Sequence, residues 1–236
     1  MELMANTRMT DDWIKRAVAG NPCVRLESGN YRTCPVRLSF PHILHMSEPK
    51  KADIKPAYGA NLLFAAGADL SVLQQAVLDV LKEKCPKALS DNPREKVKVK
   101  LPFLDQGDML RYDGYLEGSK YIIATSKKYK PACIDLKQNA ITDETRIYAG
   151  VWAICTVNPF WYDVDVNKGV SFGLQSVMII ADDEQIGGGG GENLADAFSG
   201  INIEAGDVEA GDVDADALFG AEKKGASSSK FDEMFG

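Results

Sequence analysis

The chain has 236 residues, is 45% hydrophobic and carries a formal net charge of −7. That is enough chain for one substantial core or two small ones, and no apolar run approaches the roughly 18 residues of a membrane span. Five scattered cysteines (Cys23, Cys34, Cys85, Cys133, Cys155), never in a CxxC spacing, argue against a disulfide framework or a zinc site and for reduced thiols in a cytoplasm; no basic and apolar leader is expected at the N-terminus. Of the 34 acids and 27 bases, 11 and 3 lie in residues 192–236, leaving 23 and 24 in the rest. A near-neutral body with a separate acidic tail points to nucleic-acid binding with an autoregulatory or partner-binding arm.

Residues 1–9 are expected to be disordered. Thr10 to Val18 predicts a short helix, with carboxylates in its first turn and Gly20 near its end. Val36 to Phe40 predicts a strand closed by Pro41, followed by a loop over 41–57 rich in Pro and Lys. Tyr58 to Ala66 predicts a second strand. Asp69 or Ser71 then caps a helix to about Lys84, with Leu70, Leu73, Val77, Val80 and Leu81 on one face and Cys85-Pro86 as its end. This helix is expected to cover an open end or face of the sheet. Lys and Val alternate from Arg94 to Lys100, as in an exposed edge strand. Lys120 to Ser126 predicts a strand, and Pro131 to Leu136 a short one.

Arg146 to Gly191 is the most informative stretch. It reads as two long strands joined by a turn, then a glycine linker. In the first strand Tyr148, Gly150, Trp152 and Ile154 share one face. Asn158-Pro159 interrupts it and puts Phe160-Trp161-Tyr162 at a bend or a sheet edge. Asp163 to Gly169 supplies the turn, and Val170 to Ile180 the return strand. At least five strands, one long helix and no alternating strand–helix rhythm predict a mostly β fold, an antiparallel barrel with an attached helix.

The strongest chemical signal is the run from Lys120 to Lys137, where five lysines meet one acid and Tyr121 and Tyr129 lie among them. Single-stranded nucleic acid needs cations for its phosphates and aromatic faces for its bases. A solvated charged face with core tyrosines fits the same spacing. His42 and His45 lack partners at metal-ligand spacing. Asp163, Asp165 and Asn167 begin like a calcium loop, but Lys168 and Leu174 stand where it needs Gly and Glu. No cofactor, metal site or catalytic group is expected, although spacing alone leaves a carboxylate nuclease open. The tail repeats acids before a Phe and then a Gly: Phe198-Ser-Gly200, Phe219-Gly220 and Phe235-Gly236. It is expected to be disordered, its acids mimicking phosphates and its phenylalanines docking on partners.

Three segments carry a family resemblance: Val36 to Pro41, Arg146 to Trp152, and Lys168 to Leu174 followed by Gly187-Gly188. Over residues 34–191 the chain resembles the phage single-stranded DNA-binding proteins with an OB-fold, long catalogued as uncharacterised phage proteins. The resemblance implies an OB-like barrel and sequence-tolerant binding of single strands in replication, recombination or repair, in the host cytoplasm. Replication or recombination proteins would be partners of the tail. One departure is that the helix at 69–84 follows the second strand, where the usual OB helix follows the third.

The reading divides the chain into an N-terminal extension (1–33), an OB-like DNA-binding domain (34–186) and a linker with acidic tail (187–236). Candidate phosphate contacts are Lys120, Lys127, Lys128, Lys130 and Arg146, then Arg111, Lys50, Lys51 and Lys55. Candidate stacking rings are Tyr148, Trp152, Trp161 and Tyr162, then Tyr112, Tyr115, Tyr121 and Tyr129. A strand-interior Trp152 is equally a core residue. Asp232, Glu233, Met234 and Phe235 are the candidate partner-binding end. The competing reading is a phage interaction or scaffold protein that uses barrel and tail for protein contacts and does not bind DNA.

Overall fold

The computed structural model describes residues 9–48, 55–164 and 167–186. The expectations for residues 1–8, Lys50, Lys51, the hairpin tip at 165–166, the glycine linker and the acidic tail lie outside these residues.

The described chain forms two helices and nine strands. They are α1 (Asp11–Gly20), β1 (Val24–Arg25), β2 (Tyr31–Arg32), β3 (Val36–His42), β4 (Tyr58–Phe64), α2 (Ser71–Lys84), β5 (Leu104–Asp105), β6 (Lys120–Ser126), β7 (Ala132–Ile134), β8 (Trp152–Val164) and β9 (Asn167–Ala181). Five strands close a ring. β8 pairs with β3, β3 with β4, β4 with β6, β6 with β9, and β9 returns to β8. Four of these pairings are antiparallel and β6–β9 is parallel, as is the pairing of the short β7 with β9, which corrects the expectation of an antiparallel barrel along that side of β9. The short strands extend the ring: β1–β2 beside β8, β5 beside β6 and β7 beside β9.

Alternation along the strands fills the ring. Val36 and Leu38 of β3, Leu62 and Phe64 of β4, Ile122 and Ala124 of β6, Val157 of β8, and Phe172 and Leu174 of β9 are buried in one cluster. α2 adds Leu73, Ala76, Val77 and Leu81 to that cluster, so the helix closes the ring's core as its periodicity predicted. It stands between the second and third ring strands, so the departure seen in the sequence is a property of the fold. Leu70 occupies its N-cap position, while the Asp69 carboxylate accepts from the Ser71 amide at 2.9 Å.

Several elements differ from the sequence reading. Met9 is placed, its amide donating to Asp183 Oδ1 at 2.9 Å. β3 runs on through Pro41, because a bulge between Ser39 and His42 absorbs the proline. β8 begins only at Trp152, since Gly150 adopts φ +116°. Tyr148 and Trp152 are therefore not on one strand face. β8 also continues through Asn158-Pro159, where its only partner among the described strands is β9, the edge position a proline tolerates. The stretch 94–100 is not a strand. Lys100 alone bridges to Gly169.

Gly150 is where the two ends of the sheet are tied. Its amide donates to the Leu38 carbonyl at 2.8 Å and its carbonyl accepts from Arg37 Nε at 3.0 Å. A Cβ there would stand 2.3 Å from the Glu184 carbonyl oxygen. Gly150→Ala is expected to cost at least about 1–3 kcal/mol in urea unfolding, from the left-handed backbone alone. Gly20→Ala, at an open position with no atom within 4 Å, should change stability by less than about 1 kcal/mol.

Candidate nucleic-acid interface

The outer face of β4 and β6 follows from register. Ala60–Ala124 and Leu62–Ile122 point into the ring, so Gly59–Thr125, Asn61–Ile123 and Leu63–Tyr121 point out. Part of this face is roofed by residues 106–119. Gln106 fastens the roof: its Nε2 donates to the Phe64 and Lys120 carbonyls, each at 2.8 Å, and its Oε1 accepts from the Leu116 amide at 2.9 Å. Beneath it Leu63, Tyr115, Tyr121 and Ile186 form a second small core. Tyr115 and Tyr121 meet edge-on at 5.6 Å. The Tyr115 hydroxyl accepts from Asn61 Nδ2 at 2.9 Å and donates to Ser39 Oγ at 3.1 Å. Burial raises the Tyr121 phenol further above its ordinary value.

This corrects two stacking candidates. Tyr115 and Tyr121 are each 6% exposed, so their faces are spent on packing. Trp152 is corrected in the same way. It is 4% exposed, its indole N–H donates to Asp183 Oδ2 at 2.7 Å, and Trp13 packs edge-on against it at 5.8 Å. Tyr148 is half-buried, and its hydroxyl donates to the Asp183 carbonyl at 3.0 Å. Burial pushes its phenol upward too.

The rest of the outer face is only partly open. Ser39, Asn61 and Ile123 share one register level across β3, β4 and β6; Ser39 is buried against the Tyr115 hydroxyl and Asn61 is half-buried, while Ile123 is 43% exposed. Beside them stands Phe40, also 43% exposed, with φ +48° at the β3 bulge. Its ring meets Tyr112 edge-on at 5.2 Å, and the Arg111 guanidinium lies 4.9 Å over the Tyr112 ring. Phe40 was missed in the sequence. Strand parity sends it inward after Ser39, and only the bulge turns it out.

Two clusters flank this face at opposite poles. Tyr58 pairs with Ser126, so Lys55 and the turn Lys127-Lys128-Tyr129-Lys130 lie at the same end. All four lysines are exposed with no ion-pair partner among the described residues, and Tyr129 is 76% exposed. Arg146 stands nearby, 3.9 Å from Asp135. Burial raises the Cys133 thiol to about 11, while Arg146 and Lys130 pull it down, which places both cations beside β7. Toward the other pole the β8–β9 hairpin presents Phe160, Trp161 and Tyr162 opposite Ser171, Val170 and Gly169. Trp161 and Tyr162 are half-buried, and Trp161 packs on the main core. Lys120, by contrast, is held by the Asp105 carboxylate.

An OB-like ring whose outer face and end loops carry unpaired lysines and open aromatic rings has the architecture of an oligonucleotide-binding module. The sequence is matched over residues 30–213 by the model of the Enterobacter phage Enc34 ssDNA-binding protein family, and the chain belongs to that family. No curated protein matches it. Among solved structures it is similar to the single-stranded DNA-binding protein from bacteriophage Enc34 in complex with ssDNA. That likeness has a TM-score of 0.56 and 19% identity, over 78% of this chain and 99% of that one. A C-terminal truncation of the same phage protein gives 0.55 and 18%, over 78% and 98%. At these identities the structures establish the shared fold.

Trp152→Phe keeps a buried ring and removes the donor to Asp183. It is expected to lower unfolding free energy by about 1–3 kcal/mol, the cost of a buried acceptor losing its partner. Affinity for labelled oligo-dT, read by fluorescence anisotropy, should not change. A loss of affinity without a loss of stability would return Trp152 to the interface.

Proposed function

We propose that the chain binds single-stranded DNA without sequence preference and coats it during phage replication, recombination or repair, in the host cytoplasm. The observation that carries this reading is membership, over residues 30–213, of a family whose namesake is a single-stranded DNA-binding protein. The surface supports it. Lys55, Lys127, Lys128 and Lys130, exposed and without an ion-pair partner among the described residues, supply cations for phosphates, and Arg146, 3.9 Å from Asp135, lies near them. Phe40, Tyr112, Tyr129 and the Trp161/Tyr162 pair supply rings for bases, with Arg111 stacked on one of them. Stacking is tolerant of sequence because every base has a π-face.

The protein acts by binding rather than by chemistry. The acidic tail, ending in Asp232, Glu233, Met234 and Phe235, competes with DNA for the lysines and recruits replication or recombination proteins. Supporting that role is the division of charge, with 11 acids against 3 bases in residues 192–236. Lys50 and Lys51, five and four residues before Lys55 in the sequence, are further candidate phosphate contacts.

Lys127→Gln/Lys128→Gln/Lys130→Gln should flatten the dependence of log K on log salt by about 2, at about 0.7 per lost phosphate contact. Phe40→Ala and Trp161→Ala should each weaken binding by about 1–3 kcal/mol and leave that slope unchanged. Titrations of labelled oligo-dT over a salt series read both quantities. Unaltered affinity and slope in all three variants would place the interface elsewhere on the protein.

A further inference from the structure

The segment between α2 and β5 has no role in the surface described so far. From 96 to 100 it alternates: Lys96, Lys98 and Lys100 are exposed, while Val97 and Val99 are half-buried and Val99 packs on the main core. Its end is fastened to the hairpin. The Lys100 amide donates to the Lys168 carbonyl at 2.8 Å, and the Lys100 carbonyl accepts from the Val170 amide at 3.1 Å. Lys100 Nζ donates to Asn167 Oδ1 at 2.6 Å.

This closure depends on Gly169. A Cβ there would lie 2.3 Å from the Lys100 carbonyl oxygen and 2.9 Å from the Tyr162 hydroxyl. Only glycine lets the segment seat against the hairpin, with Tyr162 alongside. The Lys96 amide donates to the Asn92 carbonyl at 3.0 Å, but the side-chain ammonium groups of Lys96 and Lys98 have no ion-pair partner among the described residues. The alternation of exposure puts Lys96, Lys98 and Lys100 together on the open side of the segment.

We propose that residues 96–100 form a phosphate rail that carries the DNA backbone past the hairpin. Lys96 and Lys98 take phosphates, and Lys100, through Gly169, fixes the rail beside Tyr162. The proposal rests on the single-strand binding argued above. It assigns the rail a ligand, where lysines on an extended edge otherwise serve only to keep other chains from pairing there.

The test is a salt series of anisotropy titrations of oligo-dT with the full chain. Lys96→Gln/Lys98→Gln is compared with Lys15→Gln/Arg16→Gln, an exposed pair on α1 that changes net charge equally. The rail variant should flatten the salt slope by about 1.4, two contacts at about 0.7 each, and the α1 variant should leave it unchanged. Gly169→Ala, with every lysine retained and its folding checked by thermal unfolding, should move the slope in the same direction as the rail variant. An unchanged slope in Lys96→Gln/Lys98→Gln, or an equal loss in the α1 pair, overturns the rail while single-strand binding stands. Failure of the unaltered chain to bind oligo-dT overturns both.

Discussion

The ring closes on β8. That strand pairs with β3 on one side and with β9 on the other, and β9 reaches β6 through a parallel seam. Closure leaves the five ring strands without a free edge along their shared length, and it divides every strand into an inward and an outward parity. The inward set is apolar and fills the ring. Of the outward set of β4 and β6, Leu63 and Tyr121 are covered by the roof and Ile123 stays exposed. The same closure sends the β8–β9 hairpin to one pole and the Lys127–Lys130 turn to the other, so the groups suited to a nucleic acid are placed by topology rather than by local sequence.

The tie that secures the closure is the Asp183 carboxylate, 7% exposed. It accepts from the Trp152 indole, from the Met9 amide and from the Glu184 amide, and the Arg37 guanidinium lies 3.6 Å away. It joins β3, β8, the end of β9 and the approach to α1. A buried carboxylate is tolerable only with its lone pairs met, and here they are. Trp152 and Tyr148 are spent on this work, and Tyr115 and Tyr121 on holding the roof over β4 and β6. The aromatic residues thus divide into a structural half and an open half.

That division was not legible in the sequence. β6 was read to its ends, because Lys120-Tyr-Ile-Ile-Ala-Thr-Ser alternates cleanly between turns. α2 was read because its apolar period is helical and Cys85-Pro86 stops it. The class of fold followed from counting such elements. The lysines of the 127–130 turn were legible because nothing in their neighbourhood could neutralise them. Trp152 was not, since parity fixes which residues share a face but not which face is inside. Phe40 was hidden by a bulge that reverses parity at one residue, and the start of β8 by a left-handed Gly150. Lys96 and Lys98 looked like edge protection until Gly169 showed where the segment is seated.

In the proposed function the ring and its loops form a surface for single strands and the acidic tail competes for it. The most direct measurement is anisotropy of labelled oligo-dT titrated with the full chain and with residues 1–191, at low and high salt. The account predicts binding by both forms, tighter for 1–191, and a steep loss of affinity with salt in each. Absence of binding by either form at low salt would contradict it.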